Sequence, residues 1–551
     1  MTSTPVATLP PSQPAAAPAG PPAPGLRERL LGTRPGSRFW GWAAPLAVAV
    51  LGGLMRFHEL GRPPKLVFDE VYYVKQGASF LRYGYEQSVS PLPSSPAPDP
   101  WNLGTTDVFA TNADFVVHPP VGKWMIAAGQ QLFGADSPVG WRFAVAVCGT
   151  LSILMLGRIA RRLLGSTLLG TVAALLLAVD GQHFVHSRTS VLDMFVMFWA
   201  LAGFGCLLID RDRARARLAR HLDGRPGGAP PGRVGPWLGL RWWRLAAAVC
   251  LGLACGVKWS GLYFLAAFML ASVLWDVAAR RAAGVRHWFL AGTVVDGAQA
   301  AFTVLPLAAA TYLATWAGWL STSGGYLRNW ASGTLAAPGV AASAGVPASP
   351  GLGWVPDAVR SLWHYHAEML RFHVNLTSSH PYQSNPWSWT VLGRPTAFFY
   401  ESVPAGTAGC GPAECAQAVT ALGNPVVWWG GTLAVAVLLF CWLLGRDWRA
   451  GAVLAGVAAG WVPWFVFQER TIYTFYAVAF VPWMVLSLTY VLGLMIGPRD
   501  APAHRRLRGA ALAGSIVVLA VLAFAFFHPV LSGEVVPRTQ WADRMWLPSW
   551  I

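Results

Sequence analysis

The pattern that most constrains this chain is an alternation of eleven apolar runs with arginine clusters that fall in every second gap. The runs cover 39–57, 138–157, 166–182, 189–209, 242–257, 259–276, 289–316, 425–445, 451–467, 472–496 and 509–528. Several lie near the roughly 17-residue lower limit for a helix that crosses a bilayer. The clusters are Arg158, Arg161 and Arg162; the stretch from Arg211 to Arg244; Arg280, Arg281 and Arg286; Arg446 and Arg449; and Arg499, Arg505, Arg506 and Arg508. Positive loops are retained in the cytoplasm. With an internal N-terminus all five clusters land there, and the odd number of spans puts the C-terminus outside. The external side then receives 58–137, 317–424 and 529–551, so the large loops face outward.

Composition agrees with an all-α polytopic membrane protein. Of 551 residues, 54% are hydrophobic and 12% charged, against about 25% charged in a soluble domain. The 29 tryptophans suit rings anchored at membrane interfaces. A formal charge of +16 raises the question of nucleic acid, but the arginines sit between apolar runs and form no basic groove with interleaved aromatics. They read as topology determinants, and no nucleic-acid partner is expected. Residues 1–37 are Pro/Ala-rich and carry Arg27, Arg29 and Arg34; they predict a disordered cytoplasmic tail without the order of a cleaved signal peptide. Cys148, Cys206, Cys250, Cys255 and Cys441 fall in apolar runs, as small core residues do. Cys410 and Cys415 fall in an external loop, where a local disulfide is compatible with an oxidising compartment.

Chemistry concentrates at the external ends of the spans, where charged groups are costly and usually functional. Asp69-Glu70 follows the first span by about a dozen residues. An enzyme that glycosylates from a lipid carrier must deprotonate an acceptor hydroxyl at the membrane surface, and a carboxylate is a usual base for that step. Arg56, His118, Lys123 and Arg142 gather around this pair in the topology. Their cations suit a lipid phosphate, and arginine offers bidentate donors for one. Asp180, His183, His186, Arg188 and Asp193 crowd the turn between the third and fourth runs, with Arg188 and Asp193 expected to support the site. Lys258 lies at the turn between the fifth and sixth. Val121 to Phe133 predicts an amphipathic helix lying on the membrane. The loop 317–424 carries His364, His366, Glu368, His373 and His380. The His364-x-His366 spacing has the look of a metal site, yet the Pro/aromatic stretch from His380 to Trp387, with Gln383 and Asn385, better suits a sugar or peptide platform. No metal and no cofactor are expected. Arg470, at the start of the tenth span, is the remaining candidate phosphate contact.

In order and topology, Phe68-Asp69-Glu70-Val71, His118-Pro119-Pro120-Val121-Gly122-Lys123, Arg188-Thr189-Ser190-Val191-Leu192-Asp193, Lys258-Trp259-Ser260-Gly261 and His380-Pro381-Tyr382-Gln383-Ser384-Asn385-Pro386-Trp387 form a series. Gly423-Asn424-Pro425, Glu469-Arg470-Thr471 and the closing Arg544 to Ile551 complete it. The series resembles the protein O-mannosyltransferase family in its bacterial, actinobacterial-type branch, from the first span to the last residue. The resemblance implies a GT-C fold over 38–551, with interfacial helices in the first external loop. It also implies an inverting single displacement that moves mannose from polyprenyl-phosphate-mannose to Ser or Thr hydroxyls of secreted or membrane proteins, at the cell membrane and beside the Sec translocon. Its acidic pair maps to Asp69 and Glu70, and its basic contacts to Arg56 and Arg142. Eukaryotic relatives carry a β-trefoil in the large external loop; 317–424 is too short for one. Asp69 is the expected base, with Glu70 orienting the acceptor or the turn, though adjacency leaves that assignment open. Two rival readings share some of these features. One is another GT-C transferase, arabinosyl or aminoarabinosyl, acting on glycan or lipid. The other is a transporter, which would spread its charges through the bilayer midplane and for which no internal repeat is visible.

Overall fold

The computed structural model describes residues 37–90, 98–223, 232–333, 353–407, 409–411 and 413–551. Most of the expected N-terminal tail (1–36) lies outside the described residues, as does the Gly/Ala/Pro-rich part of the large loop over 334–352. Among the described residues, nine helices are long and apolar enough to cross a membrane. We label the elements used below in chain order: α1 (Trp40–Phe57), α2 (Glu70–Tyr83), α3 (Val121–Phe133), α4 (Pro138–Leu164), α5 (Thr167–Ala178), α6 (Gly181–His186), α7 (Asp193–Asp223), α8 (Trp242–Val257), α9 (Gly261–Ala282), α10 (Trp288–Thr315), α11 (Asp357–Asn375), α12 (Pro425–Leu443), α13 (Trp448–Phe467), α14 (Thr474–Ile496) and α15 (Ala503–Ser532). The two shorter apolar helices, α5 and α8, match the two remaining runs, so each of the eleven runs corresponds to a helix.

Local signals explain the boundaries. α4 starts where Ser137 accepts from the Gly140 amide with Pro138 in the first turn, and it stops at Gly165 in the left-handed region, the usual pairing of N-terminal cap and C-terminal glycine. Once formed, the spans turn large apolar side chains outward: Phe302, Leu433 and Leu444 are each more than 70% exposed. In water such a surface would be unstable; in a bilayer it is the solvent-facing side.

The interior is organised around an unbroken buried stretch, residues 179–197, that joins α5, α6 and α7. Asp180 caps α6 through the His183 amide at 2.9 Å and accepts from the Trp428 indole at 2.8 Å. α1 passes so close to α4 that a Cβ on Gly53 would collide with Thr150 Cγ2 and one on Gly52 with Ile153 Cδ1, while a Cβ on Gly149 of α4 would collide with Ser187 Oγ just after α6. Arg56, at the end of α1, is thereby enclosed rather than left at the surface.

The non-helical segments collect at one end of the bundle, the loop face. The region 58–137 folds as α2, a two-stranded ladder (β1, Gln87–Val89; β2, Phe109–Ala113) and α3. The large loop supplies α11 and the hairpin β3 (Thr396–Val403) with β4 (Cys415–Ala421). Strand β5 (Val535–Pro537), beyond the last span, adds to β4. These strands were not visible as alternating patterns in the sequence: β1, β2 and β5 are only three to five residues long, and β4 is buried on both sides. Cys410 and Cys415 are disulfide-bonded across the β3–β4 connection. The five arginine clusters lie at the opposite end of the helices.

Candidate active site

Asp69 and Glu70 sit side by side at the start of α2 and have opposite environments. Glu70 is fully buried. One carboxylate oxygen accepts from Arg142 Nε (2.9 Å) and the Ser190 amide (2.8 Å), the other from Arg142 Nη2 (2.8 Å) and the Val67 amide (3.0 Å). Every lone pair of this group is used. Asp69 occupies the N-cap position of α2, yet its side chain makes no capping bond. It is half-buried. Burial pushes its carboxyl up to about 6; Lys258 draws it down, Asp193 pushes it up, and a hydrogen bond with Tyr73 draws it down. The residue before it, Phe68, has φ +50°, a conformation uncommon for a bulky residue and one that clusters at functional sites. Packing holds it there: the Phe68 ring stacks on Phe398 at 4.6 Å and meets the Phe475 edge at 5.2 Å.

A string of contacts leads away from Asp69 on the side that Glu70 does not occupy. The Tyr73 ring lies 6.3 Å from His118, and His118 stacks on His373 at 5.2 Å. His373 Nε2 lies 2.7 Å from the Val117 carbonyl and therefore donates to it, which leaves Nδ1 to accept from Arg470 Nη2 at 3.1 Å. Burial and the Arg470 cation hold His373 down at about 4, and burial with Lys258 holds His118 well below its ordinary value. Both imidazoles are thus neutral at pH 7. Arg470 retains a buried Nε with no partner among the described residues, a donor free for an anion.

On a second side, Lys258 donates to Asp193 at 2.8 Å and lies 4.8 Å over the Tyr476 ring. Next to it the Trp259 indole donates to the Tyr312 hydroxyl (3.1 Å), which donates to His366 Nε2 (2.6 Å); His366 Nδ1 donates in turn to the Leu362 carbonyl (2.7 Å). The arrangement therefore offers one carboxylate near neutrality, two cations and an aromatic wall.

Asp69, His118, Asp193, His366 and Arg470 come together, whereas Arg56, Arg142, Arg188 and Lys123 are engaged by other partners. Arg142 spends all five donors: three nitrogens hold Glu70 and the carbonyls of Leu60, Pro63 and Lys65. Arg142 thus locks the turn with every donor engaged. Arg56 is fully buried and bonds Ser187 Oγ, the Gly52 and Ala178 carbonyls and His183 Nδ1. The partners that engage both arginines come mostly from distant segments of the chain. Arg188 gathers the Arg56, His58 and Glu59 carbonyls at the end of α1, the supporting role expected of it. Lys123 is buried against Glu86 at 2.5 Å, a partner that lies 37 positions earlier and that no local pattern marks. Gln383 is exposed, and Asn385 bonds Gln468 (2.9 Å) while capping the turn at Trp387. His364 stacks on Trp330 at 3.9 Å and pairs with Glu368, away from His366; no cluster of three metal-ligating side chains occurs among the described residues.

Tyr73 and Lys258 are site residues that sequence reasoning underused. Tyr73 lies four residues after Asp69, one helical turn, so a helix starting at the acidic pair would have brought it in. His373 had no such signal, since its neighbours come from 117–118 and 470.

Comparison with known proteins gives this geometry a context. Residues 46–315 match the family model described as dolichyl-phosphate-mannose-protein mannosyltransferase, and 358–550 match the C-terminal four-span region of protein O-mannosyltransferase. The chain is 37% identical to a polyprenol-phosphate-mannose–protein mannosyltransferase of Mycolicibacterium smegmatis, covering 94% of each. It is 33% identical to that of Corynebacterium glutamicum over 88% of each. The structure of the Saccharomyces cerevisiae Pmt1–Pmt2 complex bound to the sugar donor superposes with a TM-score of 0.64 at 16% identity, covering 96% of this chain and 94% of that one. The helical bundle with its functional loops at one end is thus a GT-C fold, and the protein is a multi-pass membrane member of the protein O-mannosyltransferase family.

Proposed function

We propose that this protein is a glycosyltransferase that moves mannose from a polyprenyl-phosphate carrier to Ser or Thr hydroxyls of polypeptides, with Asp69 as the base. The observation that carries the reading is the state of Asp69. Its carboxylate is not spent on capping, titrates at about 6, and is joined to the open cation Arg470 through Tyr73, His118 and His373.

The acceptor oxygen attacks the anomeric carbon as Asp69 removes its proton. The bond from that carbon to the phosphate oxygen breaks, and its electron pair leaves with the phosphate, inverting the sugar centre. Negative charge on the phosphate grows along this path, so a preorganised cation is worth most in the transition state. Arg470 is placed for that role. Lys258 and Asp193 tune the base from behind, and Glu70 with Arg142 fixes the turn on which Asp69 stands. Trp259, held by Tyr312 and His366, presents an apolar ring suited to a sugar face. Arg56, Arg188 and Lys123 support the scaffold.

The loop face is the external one in this reading, because the arginine clusters occupy the other end and such clusters stay inside. The N-terminus is then cytoplasmic, the membrane is the cell membrane, and acceptors are met as they emerge from the Sec translocon. The test is mannose transfer from synthetic polyprenyl-phosphate-mannose to a Ser/Thr/Pro-rich peptide in membranes holding equal amounts of wild type or Asp69→Asn. Transfer by wild type and its loss in the variant is expected. Transfer that persists in Asp69→Asn would remove Asp69 as base while keeping the activity; none by wild type would refute the substrate pair.

A further inference from the structure

The end of the molecule opposite Asp69 treats two groups of arginines differently. Arg241 and Arg244 are buried and share Asp210 and Asp276, while Arg280 clasps Asp296 through Nε (2.6 Å) and Nη2 (2.7 Å). These three cations are matched by three carboxylates, although the Nε and Nη1 of Arg244 make no hydrogen bond among the described residues.

The second group lines a cleft of about 2000 Å3 formed by the ends of α4 and α14, the middle of α7 and the starts of α1, α5, α13 and α15. Among the described residues, its lining holds ten arginines and only two carboxylates. Both carboxylates are already engaged. Asp212 is shared by Arg162 (2.5 Å) and Arg211 (3.0 Å); Asp447 caps α13 at the Arg449 amide and accepts from the Tyr490 hydroxyl. The arginines lean on aromatic faces instead: Arg211 lies 3.3 Å over Trp448 and Arg158 lies 3.8 Å over Trp42. Arg211 is more than nine-tenths buried, and among the described residues its Nε has no partner, nor has the Nε of Arg506. A buried guanidinium with an unmet donor is costly, and the cost is relieved by an anion. The same lining carries apolar side chains, among them Leu154, Leu201 and Leu494.

Interface arginines ordinarily extend outward to water. These line a space larger than the roughly 300–1,000 Å3 of a small-molecule pocket, whose walls are cationic and apolar together. We propose that this cleft binds an anionic phospholipid, with the phosphate against Arg211 and Arg506 and an acyl chain along Leu154, Leu201 and Leu494. Basic pockets between spanning helices recognise lipid head groups in this way, and arginine pairs with phosphate through two parallel donors. The site is separate from the transferase centre and does not depend on that reading.

The test uses the full chain in mild detergent, offered equal amounts of phosphatidylglycerol and phosphatidylcholine with identical acyl chains, with retained lipid counted by native mass spectrometry. Wild type is expected to prefer phosphatidylglycerol by about tenfold or more, the scale of one to two favourable arginine contacts. Arg211→Gln/Arg506→Gln should lose the preference and Arg211→Lys/Arg506→Lys should keep most of it. The control Arg371→Gln/Arg538→Gln on the loop face should keep all of it. Should Arg211→Gln/Arg506→Gln fail to fold, the exposed pair Arg449→Gln/Arg499→Gln serves in its place, with a weakened preference expected. Equal retention of both lipids by wild type overturns the proposal, as does an unchanged preference in the folded Gln variants. Displacement of the lipid by millimolar glycerol phosphate overturns it too, since the cleft would then be a site for a soluble phosphate.

Discussion

The two sides of the first turn of α2 invert each other's chemistry. On the Glu70 side, every acceptor meets a donor: Arg142, Ser190 and Val67 saturate one carboxylate, and the same arginine collects the carbonyls of the preceding loop. On the Asp69 side, the carboxylate declines its own helix cap, titrates at about 6, and faces cations and rings that keep unspent capacity. Adjacent residues of the same charge type thus divide stability from reactivity. A saturated buried ion pair fixes geometry and is destabilising to break; an unsaturated carboxylate of raised proton affinity is poised to accept a proton.

The division can be broken most sharply at Asp69. Asp69→Asn should lower the turnover of mannosyl transfer by about 10²–10⁴-fold, the usual worth of a general base, while the thermal midpoint in detergent stays near wild type. A variant that unfolds would erase the distinction. The converse is expected at Glu70: Glu70→Ala strands the Arg142 guanidinium and should cost about 3–5 kcal/mol of stability, read as a lower melting midpoint and lower yield, with Glu70→Ala/Arg142→Met recovering part of it. Arg470→Ala should leave folding intact and reduce turnover by about 10²-fold or more with little change in donor affinity, as expected of a group that acts on developing charge. The smallest effect sharpens the comparison by pH. Only ionised Asp69 can accept a proton, so turnover should rise tenfold per unit below about 6 and level off above it. Lys258→Gln removes a cation that favours the ionised form and leaves Asp193 unneutralised. Both changes raise the Asp69 proton affinity, so the midpoint should move to higher pH by about one unit.

The spans were legible because each required a long apolar run, and the alternating arginines told the two ends apart. The acidic pair was legible because two carboxylates beside a span are expensive. The fate of the nearby cations was not. Arg56, Arg142 and Lys123 carry the same signature as Arg470, a charge at the end of an apolar run. What separates them is whether a carbonyl, a hydroxyl or Glu86 arrives from elsewhere to consume the donors. For Arg142 that partner is the loop 60–65, whose path depends on its φ angles, including the left-handed Glu59. The His373–Val117 contact spans more than 250 positions, far beyond any local pattern. The β3–β4–β5 sheet was missed for the same reason, since β5 joins it from beyond the last span.

The Glu70 lock also has a consequence for biogenesis. Membrane proteins emerge and insert from the N-terminus onward, and Glu70 appears before any of its long-range partners. Arg142 follows 72 positions later and Ser190 120 positions later, so at least α4 and the turn before α7 must be in place before that carboxylate is satisfied. The Phe398 and Phe475 rings that hold the Phe68 turn arrive later still. The geometry of the Asp69 turn is therefore complete only when segments from most of the chain are in place.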